Sequence, residues 1–344
     1  MHTTYDPIRQ AVSLRPHHTF GLDVQCRWWK TLRSEDDARA FVMDNLHSTR
    51  PLLILGGGSN VLFLKDYDGI VLKNEILGRE VVAETPEAVW LRVGAGENWH
   101  DLVLHCVAAG WGGIENLALI PGSVGAAPIQ NIGAYGVELK DVFDSLEALD
   151  LRSGSIRTFD REACRFGYRD SVFKQEARGR YLITRVTLRL HKPPHVLHTS
   201  YGAIAADLAL RPAPHSIRDV SEVVTQIRQR KLPDPRQIGN AGSFFKNPVI
   251  AQAQFEALQA RFPAIPSYPD LPGYVKVPAG WLIEQAGWKG HQRGACGVHS
   301  EQALVLVNHG GATGAEIYAL SEDILQDIAA RYGITLEREV NIVG

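Results

Sequence analysis

The stretch Leu52-Leu-Ile-Leu-Gly-Gly-Gly-Ser-Asn-Val-Leu-Phe-Leu64 places three glycines between two short apolar runs. Apolar runs of this length on either side of a glycine turn are typical of buried β-strands, so we predict strands over 52–55 and 61–64. The turn Gly56-Gly-Gly-Ser-Asn60 offers backbone N–H groups, a hydroxyl and an amide close together. Such a concave run of N–H groups is suited to binding phosphate.

A second glycine-rich segment, Ile120-Pro-Gly-Ser-Val-Gly-Ala-Ala-Pro-Ile-Gln-Asn-Ile-Gly-Ala-Tyr-Gly136, is apolar but has neither a helical nor a strand period. An apolar loop buries backbone polar groups, and these need hydrogen-bond partners from elsewhere. A loop wrapped around a bound cofactor meets that need, and a structural Ω-loop is the alternative. Two separate glycine segments favour a pyrophosphate with a large flat appendage over a single phosphate.

The elements around these segments follow from periodicity and capping residues. Helices are predicted to begin at Ser34, Asn98 and Thr313, where a capping side chain precedes an apolar face of helical spacing. A further helix is predicted around 221–230, and strands over 70–72, 89–93, 183–190 and 335–343. Prolines in His191-Lys-Pro-Pro-His195 cannot continue a central strand, so we place a domain boundary near 191–200.

Composition limits the class of protein. The chain has 344 residues, a length typical of two or three domains. Its formal net charge is −2, and 45% of its residues are hydrophobic, as in ordinary globular proteins. The near-neutral charge argues against a general nucleic-acid binder, which needs excess basic residues. No apolar run is long enough to span a membrane, and the first residues lack the apolar core of a signal peptide. We therefore expect a cytoplasmic protein without a membrane span.

The common motifs for nucleotide and metal chemistry are missing from the sequence. In the candidate Rossmann motif that begins at Gly94, position 99 is Trp where the last glycine belongs, and no P-loop motif occurs. The histidines and the four scattered cysteines lack the spacing of a metal site, so no metal is expected. Phosphate binding by backbone groups outside the Rossmann pattern is what the sequence favours.

Several long motifs resemble the UDP-N-acetylenolpyruvoylglucosamine reductases, the MurB family. They occur in order along essentially the whole chain: Gly56–Asn60, Ile120–Gly136, Cys164-Arg-Phe-Gly-Tyr-Arg-Asp-Ser171, Gly239–Pro248, Ala279-Gly-Trp-Leu-Ile-Glu-Gln285, His299-Ser-Glu-Gln-Ala303 and Leu336-Glu-Arg-Glu-Val340. The resemblance implies a bacterial cytoplasmic flavoenzyme that uses NADPH to reduce an enolpyruvyl ether of UDP-N-acetylglucosamine. The product would be UDP-N-acetylmuramate, a precursor of peptidoglycan.

The resemblance also implies an α+β fold with two domains. An FAD-binding domain of the vanillyl-alcohol-oxidase (PCMH) type is expected over 16–190, with two subdomains that divide near 75. A C-terminal α/β substrate-binding domain is expected over 200–336, followed by a tail strand over 337–344 that returns to the active site. The FAD is expected to be non-covalent, NADPH to be a co-substrate, and the protein to be a monomer.

Three catalytic roles carry over from the family to matching positions. Arg169 is the fixed cation that stabilises negative charge on the substrate carboxylate, and Glu339 helps to polarise the carboxylate and the enol. Ser243 is the proton donor to carbon; it has no adjacent histidine, so it is not the nucleophile of a hydrolytic triad. Without the resemblance, each of these residues would be read as a surface or turn residue.

Binding residues carry over in the same way. The predicted FAD-binding residues are Gly56, Gly57, Gly58, Ser59, Asn60, Pro121, Gly122, Ser123, Gly125, Gln130, Asn131, Gly133, Ala134, Tyr135, Gly136 and Arg228. The predicted substrate-binding residues are Tyr168, Tyr201, Lys231, Asn247, Lys289 and Gln302, and Tyr201 corresponds to a tyrosine on a loop that closes over the nucleotide in one subclass of the family.

Two positions depart from the family pattern, and one alternative function stays open. Close relatives often have Glu where this chain has Gly57, and some have Arg where Asn341 stands, in which case Arg228 is our candidate for the missing flavin contact. The alternative is a PCMH-type FAD oxidase of a sugar or an alcohol, in which the flavin is commonly tethered to His or Cys. Flavin that stays attached after denaturation would favour this alternative.

Overall fold

The computed structural model describes residues 7–344, which form two compact units. The first unit contains the described residues up to Val12 together with Cys26–Gly57 and Asp68–Gln229. The second contains Ser13–Gln25, Gly58–Tyr67 and Arg230–Gly344. No helix within 7–344 is long and apolar enough to cross a membrane.

Helices and strands alternate irregularly along the chain. The helices are α1 (Glu35–Asn45), α2 (Trp99–Ala108), α3 (Arg161–Cys164), α4 (Gly202–Leu208), α5 (Ile217–Lys231), α6 (Gln252–Arg261), α7 (Ala279–Gln285) and α8 (Gly314–Tyr332). The strands are β1 (Arg9–Ser13), β2 (Gln25–Leu32), β3 (Leu52–Leu55), β4 (Val61–Phe63), β5 (Tyr67–Asn74), β6 (Arg79–Glu84), β7 (Ala88–Gly94), β8 (Gly133–Ala134), β9 (Val137–Glu138), β10 (Phe143–Asp150), β11 (Ile156–Asp160), β12 (Tyr181–His191), β13 (Gly239–Ser243), β14 (Val249–Ala251), β15 (Tyr268–Pro269), β16 (Tyr274–Lys276), β17 (Gln292–Arg293), β18 (Cys296–Val298), β19 (Val305–Asn308) and β20 (Asn341–Val343).

The first unit is built around two sheets. A four-stranded sheet has the order β1-β2-β5-β3, in which β3 and β5 run parallel, and α1 packs on it through Phe41 and Val42. The last strand of this sheet along the chain, β5, ends at Asn74, close to the predicted division near 75. Five of the strands that follow form an antiparallel sheet of order β11-β10-β12-β7-β6, which carries the larger core, while β8 and β9 pair only with each other.

The units divide between Gln229 and Arg230, whereas the sequence predicts a boundary near 191–200. The prolines do end β12, but the chain then adds α4 and α5 to the first unit. The buried faces of these helices belong to the same core as the five-stranded sheet: Ile204, Leu208, Val220, Val223, Val224 and Ile227. Burial of these side chains, which no local breaker signals, decides where the units separate.

The second unit contains a four-stranded antiparallel sheet of order β13-β19-β18-β17 and a smaller sheet of order β14-β16-β15. The helix α8 begins with a capping box between Thr313 and Glu316 and ends at Gly333 in the left-handed conformation, as predicted. The tail forms a strand only over β20, which pairs in parallel with β4. The predicted tail strand over 335–343 is therefore shorter than expected.

The other predicted elements are confirmed with small changes in their ends. The runs at 52–55 and 61–63 form β3 and β4 on either side of the glycine turn. Ser34 accepts a hydrogen bond from the backbone of Asp37 at the start of α1, and Asn98 accepts one from Asp101 at the start of α2. All four cysteines are buried and free. The fold is α+β, as expected.

Candidate functional site

The two glycine-rich segments meet in the first unit. A Cβ atom added to Gly56 would lie 2.1 Å from Ser123 Oγ, and one added to Gly57 would lie 2.8 Å from Gly122 Cα. At Gly57 the contact is with backbone, so no side chain fits between the two segments there, whereas at Gly56 the contact is with the side chain of Ser123. The predicted FAD-binding residues at 56–57 and 122–123, far apart in sequence, are thus packed against each other.

The carbonyl groups of the first glycine turn are bonded to the protein. In the first unit, Lys73 Nζ donates to Gly56 O at 2.5 Å. In the second, the backbone N–H of Thr19 donates to Gly58 O at 3.1 Å, and Gly58 has φ +64° with His17 O where its Cβ would lie. Across a trans peptide, the N–H points opposite to the carbonyl, so the N–H groups of Gly57 and Ser59 point away from these partners. Backbone N–H groups of glycine turns are suited to binding phosphate, and contact of this turn with the pyrophosphate of FAD stays a prediction.

The second glycine segment is anchored on the end of β7. The backbone N–H groups of Val124 and Gly125 donate to Glu97 O and Ala95 O at 2.9 and 2.8 Å. A Cβ on Gly125 would lie 2.5 Å from the Cβ of Ala95, which is fully buried. Gly125 is therefore required by the packing of the loop itself, beyond any role toward a cofactor.

Asn131 organises the rest of this segment. Its side chain is fully buried, and its Nδ2 donates to Gly167 O at 2.9 Å and to Glu138 Oε2 at 3.0 Å. Its Oδ1 accepts from the backbone N–H of Lys140 at 3.1 Å. The side chain is used by the protein to order the loop, and contact between Asn131 and FAD stays a prediction.

Arg169 is fixed against the same segment. It lies in a tight turn between Gly167 and Asp170, with φ +53°, and its guanidinium donates to Gly133 O at 2.5 Å. The guanidinium carbon also lies 5.3 Å from the centre of the Tyr168 ring. The next residue but one, Ser171, donates from Oγ to Ile129 O at 2.6 Å. The motif 164–171 and the loop 120–136 therefore form one hydrogen-bonded cluster.

Arg228 is half-buried in the first unit beside this cluster. Its Nε donates to Leu119 O at 3.2 Å. Burial lowers the pKa of Arg228, a hydrogen bond with Tyr135 opposes that change, and the positive charge of Arg169 lowers the pKa further. Two half-buried guanidinium groups that repel each other favour an anionic or electron-rich ligand nearby.

Tyr201 and Tyr135 are brought together in the first unit. Their ring centres are 5.2 Å apart with the rings perpendicular. Asn116, which is 1% exposed, links the same two segments: its Nδ2 donates to Tyr135 O at 3.2 Å and to His198 O at 2.8 Å. The buried Oδ1 of Asn116 has no hydrogen-bond partner in the part of the chain that the structure describes. The segment that carries Tyr201 is thus attached to the candidate flavin loop.

Ser243 and Glu339 are close to each other in the second unit. Ser243 ends β13, and the backbone N–H of Glu339 donates to the carbonyl of the next residue, Phe244, at 2.8 Å. The tail then meets the glycine turn, because Asn60 Nδ2 donates to Glu339 O at 3.3 Å and Asn341 Nδ2 donates to Asn60 O at 2.9 Å. Asn341 therefore has a role in holding the turn at the position where some relatives have Arg.

The predicted substrate residues of the second unit occupy separate places. Lys231 is exposed at the end of α5, and Lys289 Nζ lies 3.0 Å from Glu284 Oε1 in a solvent-accessible ion pair. Asn247 Oδ1 accepts from the backbone N–H of Ala279 at the start of α7 at 2.9 Å. Gln302 lies near this helix start, because its Oε1 is 3.8 Å from where a Cβ on Gly280 would be. Their contact with substrate stays a prediction.

Sequence reasoning missed three residues of this site: Lys73, Asn116 and His100. His100 Nδ1 accepts from the backbone N–H of Leu119 at 3.0 Å, while Leu119 O holds Arg228. None of the three lies in a motif with a local chemical signature. A buried polar residue within an apolar pattern, such as Asn116 between Ile114 and Leu117, is the one signal that the sequence contained.

Residues 234–343 match the family described as UDP-N-acetylenolpyruvoylglucosamine reductase, C-terminal domain. Residues 30–160 match the family described as FAD binding domain.

Two reductases from bacteria are similar over nearly the whole chain. The UDP-N-acetylenolpyruvoylglucosamine reductase of Amoebophilus asiaticus is 50% identical over 338 residues, which cover 98% of this chain and 99% of that protein. The enzyme of the same name from Pseudomonas aeruginosa is 50% identical over 336 residues, or 97% and 98% of the two chains.

Among solved structures, the crystal structure of UDP-N-acetylenolpyruvylglucosamine reductase (MurB) from Thermus caldophilus matches with a TM-score of 0.68 and 23% identity. The match covers 98% of this chain and 100% of that one. At this identity the likeness shows a shared fold.

Proposed function

Because the chain belongs to the UDP-N-acetylenolpyruvoylglucosamine reductase family and contains an FAD-binding domain, we propose that it uses NADPH to reduce the enolpyruvyl ether of UDP-N-acetylglucosamine. The product is UDP-N-acetylmuramate, a precursor of peptidoglycan. The predicted FAD-binding residues would hold FAD, which would supply hydride transfer from NADPH to the β-carbon of the enolpyruvyl group. Each remaining step depends on the residues of this chain.

Arg169 binds the substrate carboxylate. Addition of hydride to the β-carbon moves an electron pair toward the α-carbon and its carboxylate, and a fixed cation lowers the energy of that charge. The bond from its guanidinium to Gly133 O supports this role, because it holds one side of the planar group in place. The proximity of Arg228 adds positive charge to the same region of the first unit.

Ser243 donates the proton that completes the reduction at the α-carbon, and Glu339 polarises the carboxylate and the enol. The observation that carries this assignment is the bond from the Glu339 N–H to Phe244 O, which keeps the two residues on neighbouring stretches of backbone. Ser243 Oγ makes no hydrogen bond to another protein group within residues 7–344. Its hydroxyl is therefore available to a substrate.

Lys231 and Lys289 bind the diphosphate of the substrate as point charges, and Tyr201 covers the nucleotide. The ion pair of Lys289 with Glu284 is solvent-accessible, so exchanging Glu284 for a diphosphate costs little. Tyr168, Asn247 and Gln302 complete the predicted substrate contacts.

A single assay tests the proposal against the oxidase alternative. Purified protein should oxidise NADPH rapidly only when the enolpyruvyl UDP-sugar is present, with one NADPH consumed for each UDP-N-acetylmuramate formed. Flavin should appear in the supernatant after denaturation, as expected for a non-covalent cofactor. Rapid oxidation of a free sugar or alcohol by O₂, with flavin that remains on the denatured chain, would support the oxidase.

A further inference from the structure

Arg338 comes directly before Glu339 in the tail of the second unit, and its side chain is bound to the helix α8. Its Nε donates to Ser321 Oγ at 2.8 Å, and its Nη2 donates to Glu322 Oε1 at 2.5 Å. Its guanidinium carbon also lies 4.4 Å from the centre of the Tyr318 ring. Three residues from one turn of α8 thus hold one planar group by its edge and by its face.

Ser321 is an unusual residue for its place on α8. It is fully buried, on a face of the helix that mainly packs aliphatic side chains. Its hydroxyl donates to Tyr318 O at 2.6 Å and accepts from Arg338 Nε. Hydrogen bonds from Arg338 and Tyr318 also hold the pKa of the Glu322 carboxyl below its usual value. A buried hydroxyl lowers stability unless it is hydrogen-bonded, so the presence of Arg338 accounts for a serine at this position.

The backbone of Arg338 is paired with the stretch that follows Ser243. An antiparallel bridge joins Arg338 to Phe245. Beside this bridge, the N–H of Glu339 donates to Phe244 O at 2.8 Å. Neighbouring side chains of an extended chain point in opposite directions, so the bonds of Arg338 to α8 direct the side chain of Glu339 away from the helix. Arg338 therefore restrains both the place and the direction of Glu339.

We propose that Arg338 is a positioning residue, which through its contacts with α8 fixes Glu339 on the stretch of backbone next to Ser243. The proposal rests on the role of Glu339 in the proposed function, and it gives Arg338 no contact with substrate or FAD. The competing explanation is that Arg338 only attaches the tail to the second unit and so contributes to stability.

Three variants separate these explanations. Arg338→Met keeps an apolar stem and removes all three contacts of the guanidinium. Ser321→Ala removes one of these contacts and keeps the ion pair with Glu322. Arg331→Met is the matched control, because Arg331 Nε makes an ion pair with Asp327 Oδ1 at 2.6 Å within the same helix.

Rapid-mixing absorbance at the flavin band follows each half of the reaction. NADPH should bleach the band at the parent rate in all three variants, because Glu339 is proposed to act on the UDP-sugar. Recovery of the band with the UDP-sugar should be about 10- to 100-fold slower in Arg338→Met, as expected when a catalytic group is displaced. Recovery should be about 2- to 10-fold slower in Ser321→Ala, as for one lost hydrogen bond, and unchanged in Arg331→Met.

Hydrogen exchange of the backbone amides over 336–341, measured by mass spectrometry, tests the same contacts without substrate or turnover. Exchange should be faster in Arg338→Met than in the parent protein or in Arg331→Met, because the tail then opens locally more often. Equal exchange in the three proteins would show that Arg338 does not hold the tail, and would overturn the proposal.

The kinetic results can also refute the proposal. Unchanged recovery in Arg338→Met would do so, as would equal slowing of bleaching and recovery, which indicates a general loss of structure, or the same slowing in Arg331→Met. If Arg338→Met does not fold, Ser321→Ala decides: slower recovery with normal bleaching supports the proposal, and unchanged recovery refutes it.

Failure of the proposed function gives a different result. Parent protein that does not reduce the UDP-sugar would refute the proposed function and with it the role of Glu339. Normal reduction by the parent protein and by Arg338→Met alike would refute only the role of Arg338.

Discussion

Removing the hydroxyl of Ser243 should separate the two halves of the reaction. The structure allows a clean substitution, because Ser243 is half-buried at the end of β13 and its Oγ makes no hydrogen bond to the protein within the described residues. Ser243→Ala therefore removes one oxygen that the fold does not use. The free energy of folding should change by no more than about 0.5 kcal/mol, as for substitutions that break no contact. The FAD content should be unchanged.

The expected loss in turnover is much larger. A positioned general acid is typically worth about 10²–10⁴ in rate, which corresponds to about 3–5 kcal/mol of transition-state stabilisation. Arg169, Glu339 and the bound flavin are unchanged in this variant, so hydride transfer from NADPH should keep its rate. The step that needs a proton at the α-carbon should become limiting, and turnover should fall by that factor.

Rapid-mixing absorbance at the flavin band distinguishes the two half-reactions. NADPH alone should bleach the band as fast in Ser243→Ala as in the parent protein, and the UDP-sugar should then restore the band at least about 100-fold more slowly. Ser267→Ala, at a half-buried serine outside the predicted binding residues, serves as a control that should not slow recovery. Fast recovery in Ser243→Ala would refute Ser243 as the proton donor, and slow bleaching would place it in hydride transfer from NADPH.

Other predictions follow from the same geometry. Arg169→Lys should lower kcat strongly although it keeps the positive charge, because an ammonium cannot reproduce the planar guanidinium that is held on Gly133 O. A near-normal kcat would show that the planar group is not needed. Lys289→Ala should raise KM for the UDP-sugar about 10-fold with little change in kcat. The lysine charge is predicted to bind a diphosphate far from the reacting carbons, so it should stabilise the ground state and the transition state equally. A selective fall in kcat would contradict this. Gly58→Ala should lower the free energy of unfolding, measured in urea, by about 2–4 kcal/mol, because its Cβ would meet His17 O at 2.0 Å. Gly136→Ala has φ +83° but open space around the added Cβ, so it should cost only about 1 kcal/mol. Equal losses in the two variants would mean that the turn relaxes around the new side chain. Burial lowers the pKa of His18 below its ordinary value near 6.5, despite its bond to Leu22 O. As the pH drops below about 6.5, the unfolded chain takes up the proton first, so the stability of the folded protein should fall. In His18→Gln this part of the acid dependence should disappear, and an unchanged slope of stability against pH would refute the assignment.

The elements of the fold could be predicted where a local signal fixes them. Ser34 and Thr313 cap their helices because a side-chain oxygen and an exposed N–H are neighbours in sequence. The boundary between the units had no such signal. The position of this boundary depends on which core buries Val220 and Ile227. That burial involves side chains from the whole first unit, so the prolines at 193–194 do not reveal it.

The candidate site shows the same limit. The predictions for Arg169, Ser243 and Glu339 rest on resemblance in long motifs, and those for the glycine turns rest on composition. Lys73 and Asn116 act through carbonyl groups that are distant in sequence, Gly56 O in one case and His198 O in the other. Any polar residue can make such a bond, so residue type alone does not reveal it.

The backbone of the first unit gives an independent reason to locate function here. Among the described residues, six that are not glycine have positive φ, and four of them, Leu119, Asn131, Tyr135 and Arg169, belong to the candidate site. Each left-handed residue costs about 1–2 kcal/mol, so such residues persist only where their surroundings hold them. Leu119 is held on both sides, since its N–H donates to His100 Nδ1 and its carbonyl accepts from Arg228 Nε. A chain selected for stability alone would relax or replace these residues, so strain concentrated beside the two half-buried arginines Arg169 and Arg228 indicates that the loop is kept in this shape for a ligand.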